Sequence, residues 1–244
     1  MQKEPLEFSV NGLKLRGFLY WPTSTPKKLA VLFIHGWTGL PNENAAASLA
    51  MKGYPAMIFS LGGHNNSEGK LEDITRKKSL DEALAAYDFF IRKLPGGTKI
   101  VAVGSSYGSY LSALLSGQRK VTALSLRVPA NYPDDQFDKP QINQSGDVDE
   151  NVMKWRRTKL EPSKNRALKD IRNFRGDIQV IEAEKDELVP HQTVQNYVDA
   201  VQDKSMLDYN FMKGWPHSLG LDEERNHTYQ SLLLNWLEKI AERL

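Results

Sequence analysis

Residues 104–108 read Gly-Ser-Ser-Tyr-Gly, after the apolar run "KIVAV" and before the amphipathic "YLSALLSG". The pattern G-x-S-x-G at a strand-to-helix junction lifts a serine hydroxyl clear of a sheet edge, because the glycines let the backbone pack closely around a strained residue. The positive end of the following helix then faces the place where a carbonyl oxygen would become an oxyanion. Glycine and serine also build ordinary turns, so it is the strand–turn–helix setting that marks Ser106 as a candidate nucleophile.

A serine hydroxyl at neutral pH needs an oriented base. The chain has five histidines: His35, His64, His191, His217 and His227. His217, in "GWPHSL", follows the last apolar strand run, at the sheet end where α/β proteins gather their ligands. His191 reads as a helix cap, His227 as a surface residue, and His35 and His64 as turn residues serving backbone geometry. His217 is therefore the candidate base. A carboxylate must hold its tautomer, and "VIEAEKDELVP" offers one at a strand end. Asp186 stands at the turn beyond the strand and is the candidate acid, with Glu184 as competitor.

Donors for an oxyanion are the last requirement. The backbone N–H of Tyr107 follows the nucleophile. The second comes from "HGWTG", after the first buried strand, where Gly36 and Gly39 would let the loop turn back and aim the Trp37 N–H at the site. A glycine-rich turn whose tryptophan packs on the core is the plainer reading of that loop.

The elements that must position these groups are legible in the apolar pattern. "LEFSV" and "LKLRGFLYW" flank Asn11-Gly12, which suits a type I′ turn and predicts a β-hairpin. Short continuous apolar runs then recur at 29–34, 55–61, 99–104, 121–126, 178–183 and 207–212, as in strands buried on both faces. Between them lie segments with apolar residues three and four apart, the mark of one helix face. The alternation predicts a doubly wound sheet of about eight mostly parallel strands, helices on both faces and an antiparallel hairpin at one edge. One domain over residues 1–244 is expected. Residues 131–176 break the rhythm, being polar and proline-bearing, and read as a lid or cap insertion with a helix near 149–158. The basic "KWRR" within it (154–157) reads as a solvated helix face, with contact to an acidic substrate as the alternative.

Composition excludes several classes. The 244 residues carry 32 basic and 30 acidic side chains, a near balance that gives no footprint for nucleic acid. There is no cysteine, so disulfides, thiolate metal sites and a cysteine nucleophile are excluded. No phosphate loop ending in Gly-Lys-Ser/Thr and no dinucleotide glycine pattern is present, and no metal or organic cofactor is called for. No apolar run approaches a membrane span and no signal peptide is read, so a cytoplasmic location is expected.

Over essentially its whole length the sequence resembles the α/β-hydrolase superfamily. Within it the chain is similar to the small esterases grouped with the serine aminopeptidase-like, acylglycerol lipase and cinnamoyl (feruloyl) esterase families. The matching stretches are "HGWTG", "GSSYGS", "EKDELVP" and "GWPHSL", and the order Ser106, Asp186, His217 is that of the superfamily's triad. "SLGGHNNSEG" (60–69) resembles the segment those families write D-x-R-G-x-G-x-S-x-G, but lacks its Asp and Arg. The resemblance implies Ser106, Asp186 and His217 as triad, Trp37 and Tyr107 as oxyanion donors, and 131–176 as a lid over the acyl pocket. It implies hydrolysis of a small-molecule carboxylic ester through an acyl-enzyme. The alternatives are a thioesterase, acylglycerol lipase or peptidase on the same site, or a binding protein that keeps the fold without turnover.

Overall fold

The computed structural model describes residues 1–40, 42–140 and 150–243. At the N-terminus, β1 (Gln2–Val10) and β2 (Leu13–Trp21) pair antiparallel, with Val10 opposite Leu13. Asn11 and Gly12 between them have φ of 51° and 79°, the two positive values that a type I′ turn demands. Among the described residues six further strands follow: β3 (Leu29–Ile34), β4 (Ala56–Phe59), β5 (Lys99–Ser105), β6 (Val121–Arg127), β7 (Asp177–Lys185) and β8 (Leu207–Pro216). They form one sheet in the order β1-β2-β4-β3-β5-β6-β7-β8, in which β2 alone runs against its neighbours.

Among the described residues seven α-helices connect or follow the strands: α1 (Glu43–Met51), α2 (Arg76–Lys93), α3 (Tyr107–Ser116), α4 (Glu150–Arg156), α5 (Arg166–Asn173), α6 (His191–Ala200) and α7 (Glu223–Ala241). The strand period of two sends alternate β3 side chains to opposite sides. Ala30, Leu32 and Ile34 join a core with Phe90 of α2, Leu111 of α3, Leu168 of α5 and Tyr197 of α6. Leu29, Val31 and Phe33 join a second core with Leu49 of α1 and Leu233 and Trp236 of α7. Both faces of the strand are therefore covered, which is why its sequence is apolar without alternation. Emptying a position of the first core, as in Phe90→Ala of α2, would cost about 3–5 kcal/mol.

Strand order reverses at β3, whose chain continues to β4 on one side while β5 lies on the other. A crevice opens at the carboxyl ends of strands at such a point. The loops after β3 and β5 meet there.

The stretch 131–176, expected as a lid or cap insertion, contains α5. Asn165 caps α5 by accepting from Leu168 N at 3.2 Å, and Ala167, Leu168 and Ile171 are buried in the core. Those residues form a sheet-covering helix that a polar neighbourhood concealed. Residues 141–149 of the expected insertion lie outside the described residues. No helix among the described residues is long and apolar enough to cross a membrane.

Candidate active site

At the end of β5 the chain turns into α3 through Ser106, whose φ of 53° and ψ of −113° are strained for a residue with a side chain. The two flanking glycines make that turn possible. A Cβ on Gly104 would sit 2.4 Å from the Gly108 backbone, and one on Gly108 would sit 1.9 Å from the Ile34 carbonyl oxygen of β3. Ser106 is also clamped by its own backbone. Its N–H donates to Arg127 O at 2.9 Å, and its carbonyl accepts from Ala130 N at 3.2 Å.

Asp186 lies one residue past β7 and His217 one residue past β8. Asp186 Oδ1 accepts from the Leu188 and Val189 amides at 2.9 and 2.7 Å, leaving Oδ2 for His217 Nδ1 at 2.7 Å. The Asp186 side chain is 3% exposed, so this bond is shielded from water. His217 and Ser106 both line one cavity of about 1320 Å³, although no hydrogen bond joins the Ser106 hydroxyl to the imidazole. Such bonds commonly tighten only when substrate is bound. The competitor Glu184 is engaged elsewhere, accepting from Gly214 N at 2.7 Å.

The loop after β3 rides over the elbow, for a Cβ on Gly36 would meet Ser105 O at 3.2 Å and Ser106 Cβ at 3.4 Å. The amides of Trp37 and Tyr107 donate to no backbone or side-chain group among the described residues. The Trp37 ring packs edge-on against Tyr107 (5.5 Å) and His64 (5.1 Å). His35 accepts from Leu61 N at its Nε2 (2.9 Å), which leaves Nδ1–H to donate to Gly36 O (2.7 Å). Burial lowers its pKa to about 4, so it remains neutral and keeps both bonds. The 60–69 segment, which lacks the motif's Asp and Arg, buttresses the same loop through the His64 ring and through Asn65 Nδ2, 3.3 Å from Gly39 O.

The remaining histidines do not join the site. His191 begins α6, as a cap would, but its imidazole pairs with Glu182 on β7 at 2.6 Å. His227 lies in α7, away from the cavity wall.

Arg127, at the end of β6, had no signal beyond its place at the end of the run "VTALSLR". It is half-buried, donates to the His217 carbonyl at 2.8 Å and bonds the Ser105 hydroxyl. Burial pulls its pKa down, opposed by Tyr229 and by the charge of Asp186. One side chain thus ties the strand of the serine to the turn of the histidine.

A family described as "alpha/beta hydrolase fold" matches residues 30–173 of the sequence. The chain belongs to that family. No curated protein matches it in sequence. Among solved structures it is similar to Est1E of Butyrivibrio proteoclasticus with ferulic acid bound, at 20% identity over 96% of this chain and 99% of that one, with a TM-score of 0.74. It is also similar to the α/β hydrolase GrgF of Penicillium sp. sh18, at 14% identity over 100% and 99% of the two chains, TM-score 0.73. A serine hydrolase homologue of Coxiella burnetii is 17% identical over 97% and 98%, TM-score 0.68. At these identities the likeness is one of fold.

Proposed function

We propose that this α/β-hydrolase-fold protein is a serine hydrolase that cleaves carboxylic esters by acyl transfer. The observation that carries the reading is the shielded Asp186–His217 pair opening onto the same cavity as Ser106. His217 Nε2 takes the Ser106 proton as Oγ attacks the ester carbonyl. The tetrahedral oxyanion is held by the Trp37 and Tyr107 amides, each worth on the order of 3 kcal/mol of barrier. His217 then protonates the departing alcohol, leaving an acyl-Ser106. Water attacks this ester with His217 again as base, and Asp186 stabilises the imidazolium in both halves. Tyr132, Gln136, Val152 and Arg156 line the cavity, which supports reading the chain before α5 as its cap. The ferulic acid in Est1E supports an ester of a carboxylic acid as substrate.

The test is hydrolysis of p-nitrophenyl esters, from acetate to long acyl chains, by the wild type and Ser106→Ala. Turnover that vanishes in the variant is expected, together with fluorophosphonate labelling of the wild type alone. Absence of both turnover and labelling would overturn the reading.

A further inference from the structure

Two arginines in the cavity wall have no carboxylate partner among the described residues. Arg76, the first residue of α2, is 2% exposed, and Arg156, the last of α4, is 6% exposed. Arg76 Nη2 donates to Gln136 O at 2.6 Å, while its buried Nε has no partner. Arg156 Nε donates to Asn131 O at 3.1 Å and Nη1 to Leu188 O at 3.0 Å. These acceptors are neutral carbonyls. They satisfy donors, and no carboxylate among the described residues pairs with either charge.

Both guanidiniums lie over one ring, 4.9 and 4.7 Å from the Tyr132 centroid. Among the described residues, their surroundings supply no anion. The carboxylate of Asp134 is taken by Arg166 at 3.2 Å, and Glu43, elsewhere in the cavity wall, is paired with Lys3. Arg127, the third arginine of the wall, already has the Asp186 charge nearby. A charge out of water is strongly unfavourable unless an opposite charge meets it. Two such charges buried in the wall of the cavity that Ser106 also lines are held for something that enters.

We propose that Arg76 and Arg156 bind a carboxylate carried by the substrate away from its scissile bond, so that the ester cleaved is an anionic one. Guanidinium forks match the two oxygens of a carboxylate, and burial strengthens the pairing. The proposal rests on the ester-hydrolase reading and names its substrate class. The helix-face reading of "KWRR" holds for the exposed Lys154 and Arg157 and fails at Arg156, which turns inward.

The experiment compares kcat/KM for mono-p-nitrophenyl esters of adipic, suberic and sebacic acids with esters of the monocarboxylic acids of equal length. A second arm places the carboxylate on the leaving group, as 4-carboxyphenyl butyrate against 4-acetylphenyl butyrate. At least one arm should favour the anionic ester about tenfold or more, from charge-assisted bonds made to it alone. That ratio should fall to about twofold or less in Arg76→Gln and Arg156→Gln, and Arg156→Lys should retain part of it. A purely structural role would lower both members of a pair together and leave the ratio unchanged. No anionic preference in either arm of the wild type would overturn the proposal, and so would a ratio indifferent to the arginines. Calorimetric titration of Ser106→Ala with the same pairs reads binding without turnover, so a failure of ester cleavage is told apart from a failure of anion recognition. Equal binding of charged and neutral members overturns the proposal whatever the kinetics.

Discussion

Asp186 Oδ2 and His217 Nδ1 lie 2.7 Å apart, each residue one position beyond the end of its strand. β7 and β8 are parallel neighbours, so the two turns emerge at the same edge of the sheet. The second oxygen of Asp186 is fixed by two amides of its own turn. The imidazole is thereby held with its Nδ1–H toward the acid and its Nε2 available.

Asp186→Asn is expected to lower kcat about 10³- to 10⁴-fold with little change in KM, because an amide favours the wrong tautomer. Glu184→Gln should stay within about threefold of the wild type, since the amide oxygen can still accept from Gly214 N. Steady-state kinetics on one p-nitrophenyl ester decides between the two acids. A larger loss at Glu184 would reverse the assignment.

Arg127→Lys keeps the charge near Asp186 but cannot reach both the His217 carbonyl and the Ser105 hydroxyl in one geometry. The expected loss is about 2 kcal/mol in stability, from one unmade bond to a charged group, with a fall in kcat beyond that in KM. Urea unfolding alongside kinetics measures both. Unchanged kcat would limit Arg127 to a structural role.

Gly108→Ala brings a Cβ to 1.9 Å from a carbonyl oxygen of β3, where no flexible side chain can move aside. Loss of soluble protein, or destabilisation beyond about 3 kcal/mol, is expected. Expression and urea unfolding provide the check, and near-normal stability would mean that the helix can retreat from the sheet.

Glu82 gives a pH dependence with a definite sign. Burial raises its pKa to about 7 from an ordinary 4.5, even though Gly62 N donates to it at 2.9 Å. Between those values the folded protein keeps a proton that the unfolded chain has released, so stability falls as pH rises from 4.5 to 7. The size is up to about 3 kcal/mol. His35 acts oppositely: its pKa drops from 6.5 to about 4, and stability falls as pH is lowered through that window. Unfolding of the wild type and Glu82→Gln at stepped pH separates the two. The variant should gain on the wild type from pH 5 to 8, and parallel curves would contradict the assignment.

The sheet was legible because burial on both faces writes itself as unbroken apolar runs such as 29–34. The Asn11-Gly12 hairpin was legible because that turn restricts its residues. Helix α5 was not, since "RALKDIRN" hides three apolar core residues among charges in a stretch dominated by polar neighbours. In the site, short local signals marked Ser106, Asp186 and His217, and the fold brings the last two into contact. Arg127 and Arg76 left no comparable trace, and Arg156 showed only as part of the basic "KWRR", read first as a solvated helix face with contact to an acidic substrate as the alternative. Their roles depend on partners 90, 60 and 25 positions away, and sequence spacing carries nothing about such distances.

The conformation of Ser106 is imposed from outside by Gly104, Gly108 and two backbone bonds, and its hydroxyl takes no part in holding it. Position 106 is therefore a socket, indifferent to what it displays. An alanine there should leave the architecture intact and turn the protein into a trap for its uncleaved substrate. A glycine should go further and release the positive-φ strain, raising stability by about 1 kcal/mol. With Ser106 as the proposed nucleophile, the most durable form of the protein and the working form are different molecules at this residue.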